Sequence, residues 1–207
     1  MKVLLVNGSP HQHGSTDRAL REVAKTIEEA GIETEIFWIG NEPIGGCIGC
    51  RACGRMNRCV FGGVVNEFQE KAETADGFVF GSPVHYAAAS GNMTCFLDRV
   101  FYSAPAETFY LKPAAVVVAA RRGGNTAAYE QLLKYPGISH MPIISSQYWN
   151  MVHGANAQDV EQDQEGLQTM RALGRNMAYV LLCMQAGRAA GIPMPEKEAF
   201  QRTNFIR

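Results

Sequence analysis

The chain has 207 residues, of which 46% are hydrophobic and 19% are charged. This length and composition predict one α/β domain with its own core and exclude a disordered chain. Nineteen Lys and Arg residues against 20 Asp and Glu residues give a net charge of −1, which argues against a nucleic-acid partner. The sequence contains no apolar run of the roughly 20 residues that span a bilayer, and its N-terminal apolar run is shorter than a signal peptide requires. We therefore expect a cytoplasmic protein with no membrane partner.

Short apolar runs alternate with helical patterns along the chain. The runs predict strands at 2–7, 33–38, 77–82, 113–120 and 141–146. The helical patterns lie at 16–30, with Ser15 or Thr16 as N-cap, and at 66–75, 91–102, 126–135 and 165–187. This alternation indicates a parallel sheet covered by helices on both faces. We predict a flavodoxin-like three-layer α/β sandwich whose five-stranded parallel sheet has the order 2-1-3-4-5.

The domain is expected to cover residues 1–187, with a Cys-rich loop at 45–60 and an irregular C-terminal tail at 188–207. In a sheet of this order, ligands bind beyond the carboxyl ends of the strands, where strands 1 and 3 lie side by side. This rule directs attention to the loops at 8–16, 83–90 and 121–124.

The first loop combines hydroxyl groups, free backbone N–H groups and the start of a helix. Its candidate binding residues are Ser9, His11, His13, Gly14, Ser15 and Thr16. These groups suit one phosphate monoester held by hydrogen bonds and the helix dipole without a fixed cation. An ordinary strand-to-helix turn with a Ser or Thr cap is the alternative.

The second and third loops contain groups that suit a flat heteroaromatic ring. The second loop offers a rigid turn and two aromatic faces, and the third offers positive charge and close backbone approach. The candidate residues are Pro83, Val84, His85, Tyr86, Arg121, Arg122, Gly123 and Gly124. The alternatives are a loop whose aromatic side chains pack beneath their own turn and a solvated basic turn.

The first loop, GSPHQHGST at 8–16, resembles the FMN phosphate loop of the NADPH-dependent FMN reductase family. The resemblance continues through GSPVHY at 81–86, SGN at 90–92 and FLDR at 96–99. It implies FMN as the cofactor, with Ser9, Ser15 and Thr16 at its phosphate and residues 83–86 along its isoalloxazine ring. It also implies that Asp98 and Arg99 are structural.

Four cysteines, Cys47, Cys50, Cys53 and Cys59, form a C-x2-C-x2-C-x5-C pattern. Three thiolates at this spacing can converge on one small object, as in [4Fe–4S] ferredoxins, with the fourth ligand from nearby. Structural zinc usually uses two separated C-x2-C pairs, so the spacing favours an iron–sulfur cluster over zinc. Free or redox-active thiols remain a further alternative.

The cysteine pattern also resembles that of iron–sulfur flavoproteins, a branch of the same family. That branch passes electrons between FMN and a [4Fe–4S] cluster, commonly with the FMN of a neighbouring subunit. Arg51, Arg55 and Arg58 would then offset the negative charge of the cluster. Cys95 and Cys183 stand alone in helical patterns and are expected to be small core residues.

The resemblance implies an FMN-dependent oxidoreductase that takes electrons from NAD(P)H, as co-substrate, or from an electron carrier. Its acceptor would be a flavin, a quinone or another small molecule, so its partners are small-molecule or redox-protein donors and acceptors. It further implies a homodimer or homotetramer. No catalytic side chain is expected, because hydride transfer to a flavin needs geometry rather than a protein acid or base. The alternative is a non-catalytic, flavodoxin-like electron carrier.

Overall fold

A computed structural model describes residues 1–199, 201, 203 and 205 of the chain. Its strands are β1 (Lys2–Asn7), β2 (Glu33–Trp38), β3 (Gly77–His85), β4 (Ala88–Ala89), β5 (Ala114–Ala120) and β6 (Met151–His153). Five of them form a parallel sheet in the order β2-β1-β3-β5-β6, and the short β4 pairs antiparallel with the end of β3. Counted without β4, this is the predicted order 2-1-3-4-5, and the flavodoxin-like architecture is confirmed.

The helices lie on both faces of the sheet. They are α1 (Ser15–Glu28), α2 (Cys53–Met56), α3 (Val64–Thr74), α4 (Gly91–Ser103), α5 (Asn125–Ile138), α6 (Ala157–Val160) and α7 (Gln164–Ala189). A single 3-10 turn, Ala106–Thr108, follows α4. Within the described residues, no helix has both the length and the apolar character that a membrane span requires.

Alternating side chains of the central strands build two separate cores. In β1, Leu4 and Val6 pack with side chains of α3, α4 and α5, whereas Val3 and Leu5 pack with α1 and α7. Because strand side chains alternate between the two faces, a fully apolar strand must be covered on both sides. The core beneath α3 and α4 is rich in phenylalanine, and the core beneath α1 and α7 is mainly aliphatic.

The last strand lies elsewhere than the sequence predicts. Of the predicted segment 141–146, Ile143 makes one isolated bridge to Ala114, and the ladder with β5 forms only at Met151–His153. Pro142 lacks an N–H group, so this segment cannot build a regular ladder. The Pro142 carbonyl oxygen instead accepts one bond from the Ala114 N–H at 2.9 Å.

Several helix boundaries also differ from their predicted positions, by up to three residues. Gly14 stands at the N-cap of α1 without a side-chain cap, so neither Ser15 nor Thr16 has the predicted capping role. At the other end of the chain, α7 continues to Ala189, and the described residues 190–199 that follow contain no helix or strand. Residues 200, 202, 204, 206 and 207 of the predicted tail lie outside the described residues.

A buried carboxylate joins α1 to α7. Glu22 accepts hydrogen bonds from Arg171 at 2.6 Å and from Arg18 at 2.9 Å, and Arg18 also pairs with Glu161. Burial by itself would raise the pKa of Glu22, but the hydrogen bonds from Arg171 and Arg18 outweigh it and lower that pKa below its usual range. The ionised form of Glu22 therefore stabilises the fold.

We predict that Glu22→Gln lowers the free energy of unfolding at pH 7 by about 1.5–3 kcal/mol, the range for hydrogen bonds to charged groups. Since the folded-state pKa is lowered, this contribution is present above the ordinary Glu pKa of about 4.3 and is lost as the pH falls through the lower folded value. Urea unfolding at several pH values should show the two proteins converging in acid. Glu161→Gln, at the exposed end of the network, is the control and should cost less; a pH-independent gap would contradict the prediction.

Candidate functional site

The carboxyl ends of β1 and β3 bring two of the predicted loops together at one edge of the sheet. The Gly8 N–H donates to the Gly81 carbonyl oxygen at 2.8 Å. The Ser90 hydroxyl donates to the Gly8 carbonyl oxygen at 2.8 Å, and the Ser90 N–H donates to the Ser82 hydroxyl at 3.0 Å. These bonds fasten both loops to the start of α4. None of the four residues was among the candidates, although all of them belong to the motifs at 8–16, 81–86 and 90–92.

Hydrogen bonds within the loop after β1 occupy its acceptor groups. The Asn7 amide donates to the Gln12 carbonyl oxygen at 3.0 Å, and its own oxygen accepts from the Ser9 N–H at 3.0 Å. The Ser9 carbonyl oxygen accepts from Trp38 Nε1 at 2.8 Å, and the Ser9 hydroxyl oxygen accepts from the His11 N–H at 3.1 Å. The Ser9 hydroxyl proton thus remains available for another acceptor.

Several donors at the start of α1 have no acceptor among the residues that the structure describes. The N–H groups of Ser15, Thr16 and Asp17 lie in the first turn, where no intrahelical carbonyl is available. The Thr16 hydroxyl is buried and has no partner either. A buried unsatisfied hydroxyl costs about 1–3 kcal/mol. These orphaned donors therefore fit an anionic group supplied by a ligand.

Ser15 differs from its two neighbours in the use of its side chain. Its hydroxyl donates to the Gly154 carbonyl oxygen, just after β6, at 3.1 Å. The Ser15 side chain therefore ties α1 to the loop after the last strand, and its backbone N–H is the group that remains without a partner. Gly154 follows a strand whose position the sequence did not predict, so this contact could not be anticipated.

The histidines of the first loop are exposed and make few contacts. His13 Nδ1 lies 3.3 Å from Asp17 Oδ2, and His11 contributes its backbone to the turn that ends at Gly14. Asp17 also accepts from Arg21 Nε at 2.8 Å. Arg21 compensates the carboxylate, so Asp17 does not cancel the positive end of the α1 dipole.

The end of β3 folds back on β4 as a tight hairpin. Tyr86 and Ala87 at its tip have φ values of 51° and 60°, in the left-handed region that non-glycine residues seldom adopt. Pro83 and Val84 are half-buried, whereas His85 and Tyr86 are exposed. The two aromatic side chains thus face solvent at the carboxyl edge and do not pack beneath their own turn.

The turn after β5 lies against this hairpin. Arg121, Arg122 and Gly123 are exposed, whereas Gly124 has a φ of 91° and packs so closely that an added Cβ would lie 2.6 Å from Ala87 Cα. The three predicted loops therefore meet at one edge of the sheet. The next residue, Asn125, opens α5 and has a buried amide nitrogen without a partner in the described chain. Its place after the glycine pair is the only sequence signal that could have pointed to it.

Cys47, Cys50, Cys53 and Cys59 line one cavity against the second half of α4. The cavity is partly open to solvent. In the described part of the chain, no three Cys, His, Asp or Glu side chains meet as closely as a single metal ion requires. A [4Fe–4S] cluster carries one thiolate on each iron, so it needs four thiols around a shared space rather than at a single point.

The cavity wall suits an anionic sulfur-bound group. Besides the thiols, it contains two arginines, Arg51 and Arg99, and it contains no carboxylate. Soft thiolate donors without competing oxygen ligands favour iron–sulfur clusters or zinc over hard cations. The donor set therefore fits the predicted cluster.

Side chains of α3 and α4 hold the Cys-rich loop in position. Asn66 donates to the Cys59 carbonyl oxygen at 3.0 Å and accepts from the Cys59 N–H at 3.1 Å. Asn92 accepts from the Ile44 N–H at 3.2 Å and donates to the Glu42 carbonyl oxygen at 3.0 Å. Sequence reasoning missed both asparagines, because a single Asn on a helix gives no sign of a distant backbone partner.

Asp98, Cys95 and Cys183, which the sequence predicts to have structural roles, lie in different environments. Asp98 accepts a 2.6 Å hydrogen bond from the Tyr135 hydroxyl; burial and then this bond raise the pKa of Tyr135, which agrees with a structural role. Cys95 is half-buried beside Gly46 of the Cys-rich loop. Cys183 is exposed on α7, so its prediction as a core residue is wrong.

The family model for NADPH-dependent FMN reductase matches residues 1–156. The chain is 32% identical over 191 residues to an iron-sulfur flavoprotein of Methanocaldococcus jannaschii, a match that covers 87% of this chain and 97% of the relative. It is 25% identical over 192 residues to an iron-sulfur flavoprotein of Methanosarcina thermophila, covering 91% of this chain and 99% of the relative. The chain therefore belongs to the NADPH-dependent FMN reductase family.

A solved flavodoxin from the domain Archaea superposes with a TM-score of 0.61 at 14% identity, covering 88% of this chain and 99% of that chain. At this identity the likeness shows the fold alone. Membership of the family supports FMN as the cofactor and a role in FMN-dependent oxidation–reduction or electron transfer.

We predict that Gly124→Ala disturbs the contact between the hairpin and the turn after β5. A Cβ at this position clashes with the backbone of Ala87, and an alanine here must keep a positive φ that is strained for any residue with a side chain. The free energy of unfolding should therefore fall by about 1–3 kcal/mol. Gly123→Ala is the matched control, because a Cβ at Gly123 meets no atom within 4 Å. Equal losses of stability in the two variants, measured by urea unfolding, would contradict the prediction.

Proposed function

We propose that this chain is an FMN-dependent oxidoreductase that carries a four-thiolate [4Fe–4S] cluster as a second redox centre. It would accept electrons from NAD(P)H or from an electron-carrier protein and reduce a flavin, a quinone or another small acceptor. One observation carries the proposal: Ser90, which caps α4, bonds to Gly8 of the loop after β1, and the second half of α4 lines the four-cysteine cavity. The names of the two archaeal relatives support the same pairing of cofactors.

The FMN phosphate is assigned to the start of α1. The Thr16 hydroxyl, the Ser9 hydroxyl proton and the N–H groups of the first helical turn are the donors that lack an acceptor. Together with the helix dipole they can bind a phosphate dianion without a fixed cation. Ser15 would contribute its N–H rather than its hydroxyl, while His11, His13 and Gly14 shape the turn.

The isoalloxazine ring is assigned to the junction between the hairpin and the turn after β5. Pro83 and Val84 offer an apolar surface, and His85 and Tyr86 offer aromatic faces for stacking. Gly123 and Gly124 allow the backbone to approach a ring edge, and Arg121 or Arg122 can offset negative charge on a reduced flavin.

The four cysteines are assigned as cluster ligands, one thiolate for each iron. When bound, FMN supplies one- and two-electron chemistry, and the cluster supplies one-electron transfer. The contribution of the chain is to hold the reacting groups in place and to limit access of water. Ser90 caps α4 and Arg99 lies nine positions further along, about 14 Å along a helix axis, so one rigid element connects the two sites.

We predict that Thr16→Val weakens FMN binding by about 1.5–3 kcal/mol, because one hydrogen bond to a charged phosphate is lost. Riboflavin, which lacks the phosphate, should bind the variant and the wild type alike. Thr16→Ser keeps the hydroxyl and is the matched control, with FMN affinity close to that of the wild type. Fluorescence titration of the apoprotein measures all three proteins; an equal loss for FMN and riboflavin would argue against the phosphate assignment.

We predict about four irons and about four acid-labile sulfides for each chain after anaerobic purification. Cys50→Ser should lower both while FMN stays bound, since the phosphate loop is a separate element. Cys183→Ser, an exposed thiol outside the Cys-rich loop, is the control and should keep the wild-type iron content. Anaerobic protein full of FMN but without iron, with four titratable thiols in the Cys-rich loop, would overturn the cluster and leave a plain FMN reductase.

The rate of steady-state NADH and NADPH oxidation distinguishes an enzyme from an electron carrier. Turnover with free FMN or a quinone as acceptor supports the enzyme. Stoichiometric reduction without turnover, by either nucleotide or by a reduced carrier protein, would indicate the electron carrier. The homodimer or homotetramer and the cytoplasmic location stay predictions, checked by light scattering and by cell fractionation.

A further inference from the structure

Arg99 is a buried cation with an unusual set of partners. It lies on α4 and is only 8% exposed. Its Nε donates to Cys59 Sγ at 3.3 Å, and its two terminal nitrogens donate to the Gly45 and Gly62 carbonyl oxygens at 3.5 and 3.0 Å. One guanidinium therefore holds both ends of the Cys-rich loop and contacts one of its thiols.

The charge of Arg99 is not balanced by an acid. No carboxylate forms a salt bridge with Arg99 among the residues the structure describes, and the neighbouring Asp98 bonds to Tyr135 instead. Carbonyl oxygens satisfy the donors of a guanidinium but carry no net charge. A buried cation without an anionic partner is strongly unfavourable, so an anion is expected beside it. The Cys59 sulfur lies 3.3 Å from Arg99 Nε, so this unbalanced charge stands directly beside the thiol cavity.

The other arginines of the loop differ from Arg99 in their environment. Arg51, Arg55 and Arg58 are all exposed, so water and salt screen their charges. The sequence points to these three as the compensating charges, because they lie among the cysteines. The buried position of Arg99 gives its charge a much larger effect on any group within the cavity.

We propose that Arg99 is a positioning residue that clamps the Cys-rich loop around the thiol cavity and raises the reduction potential of the cluster bound there. The inference rests on the proposed cluster. A reduced cluster carries one more negative charge than an oxidised one, so a desolvated cation in hydrogen-bond contact with a ligand sulfur favours the reduced state. Removal of the cation should lower the potential.

The test compares uncharged and charged replacements in the anaerobic holoprotein. Arg99→Met removes the charge and keeps much of the side-chain volume, and Arg99→Gln is a second uncharged variant in case the first does not fold. Arg58→Met is the matched control, because it removes an exposed positive charge next to Cys59 in the chain. FMN content reports folding, since the flavin loops are remote from the substitution.

Spectroelectrochemical titration of the cluster is the readout. At a fixed electrode potential, the ratio of reduced to oxidised cluster should fall about tenfold in Arg99→Met and Arg99→Gln, a downward shift of about 59 mV for one electron. Arg58→Met should change the ratio by less than about threefold, because its charge is screened. Arg99→Lys keeps the charge and should restore most of the potential, but it should release iron to a chelator faster because the two carbonyl contacts are lost.

The outcomes separate this inference from the proposed function. Wild-type protein without iron overturns both. A wild-type cluster whose potential is unchanged in the uncharged Arg99 variants overturns the role of Arg99 alone. An equal shift in Arg58→Met, or no recovery in Arg99→Lys, would also overturn it, because the effect would then not depend on a buried charge.

Discussion

The position of Gly8 constrains both candidate sites. Gly8 lies where β1 leaves the sheet. The Gly8 N–H donates to β3, and the Gly8 carbonyl oxygen accepts a hydrogen bond from Ser90 at the start of α4. A Cβ here would lie 2.6 Å from Met93 Sδ and 2.9 Å from the Gly81 carbonyl oxygen, so the backbone approaches more closely than a side chain permits. This close approach sets the loop of orphaned donors, the hairpin and α4 relative to one another.

The helix α4 then extends this arrangement from the carboxyl edge of the sheet to the Cys-rich loop. Its N-cap Ser90 bonds to the strand loops, and Asn92 and Arg99 on the helix bond to backbone groups at and beside both ends of the Cys-rich loop. The segment between β2 and α3 contains only the four-residue helix α2 as regular structure. Its conformation therefore depends on side chains from α3 and α4, and it should respond to changes in α4 more than to changes within itself.

The two sites accommodate negative charge by different physical means. At the start of α1, backbone N–H groups and neutral hydroxyls offer many weak dipoles without a full charge, which suits a phosphate with several oxygens. A sulfur atom accepts fewer and weaker hydrogen bonds, and here a single buried guanidinium lies in contact with the Cys59 sulfur. Arg121 and Arg122 at the turn after β5, in contrast, remain exposed to solvent.

The sequence by itself determined the sheet order and the edge at which the three candidate loops meet, because buried parallel strands appear as apolar runs and their carboxyl ends must share one edge. It also identified the four cysteines, whose spacing is a local property. Only the tertiary structure decided the position of β6, since that strand is defined by pairing with β5 rather than by its own composition. Likewise, the use of the Ser15 hydroxyl depends on a residue 139 positions away, and the burial of Arg99 among exposed arginines depends on how α4 packs. Hydrophobic periodicity and local residue spacing are properties of the sequence, whereas burial and long-range hydrogen bonds arise only when the elements pack together.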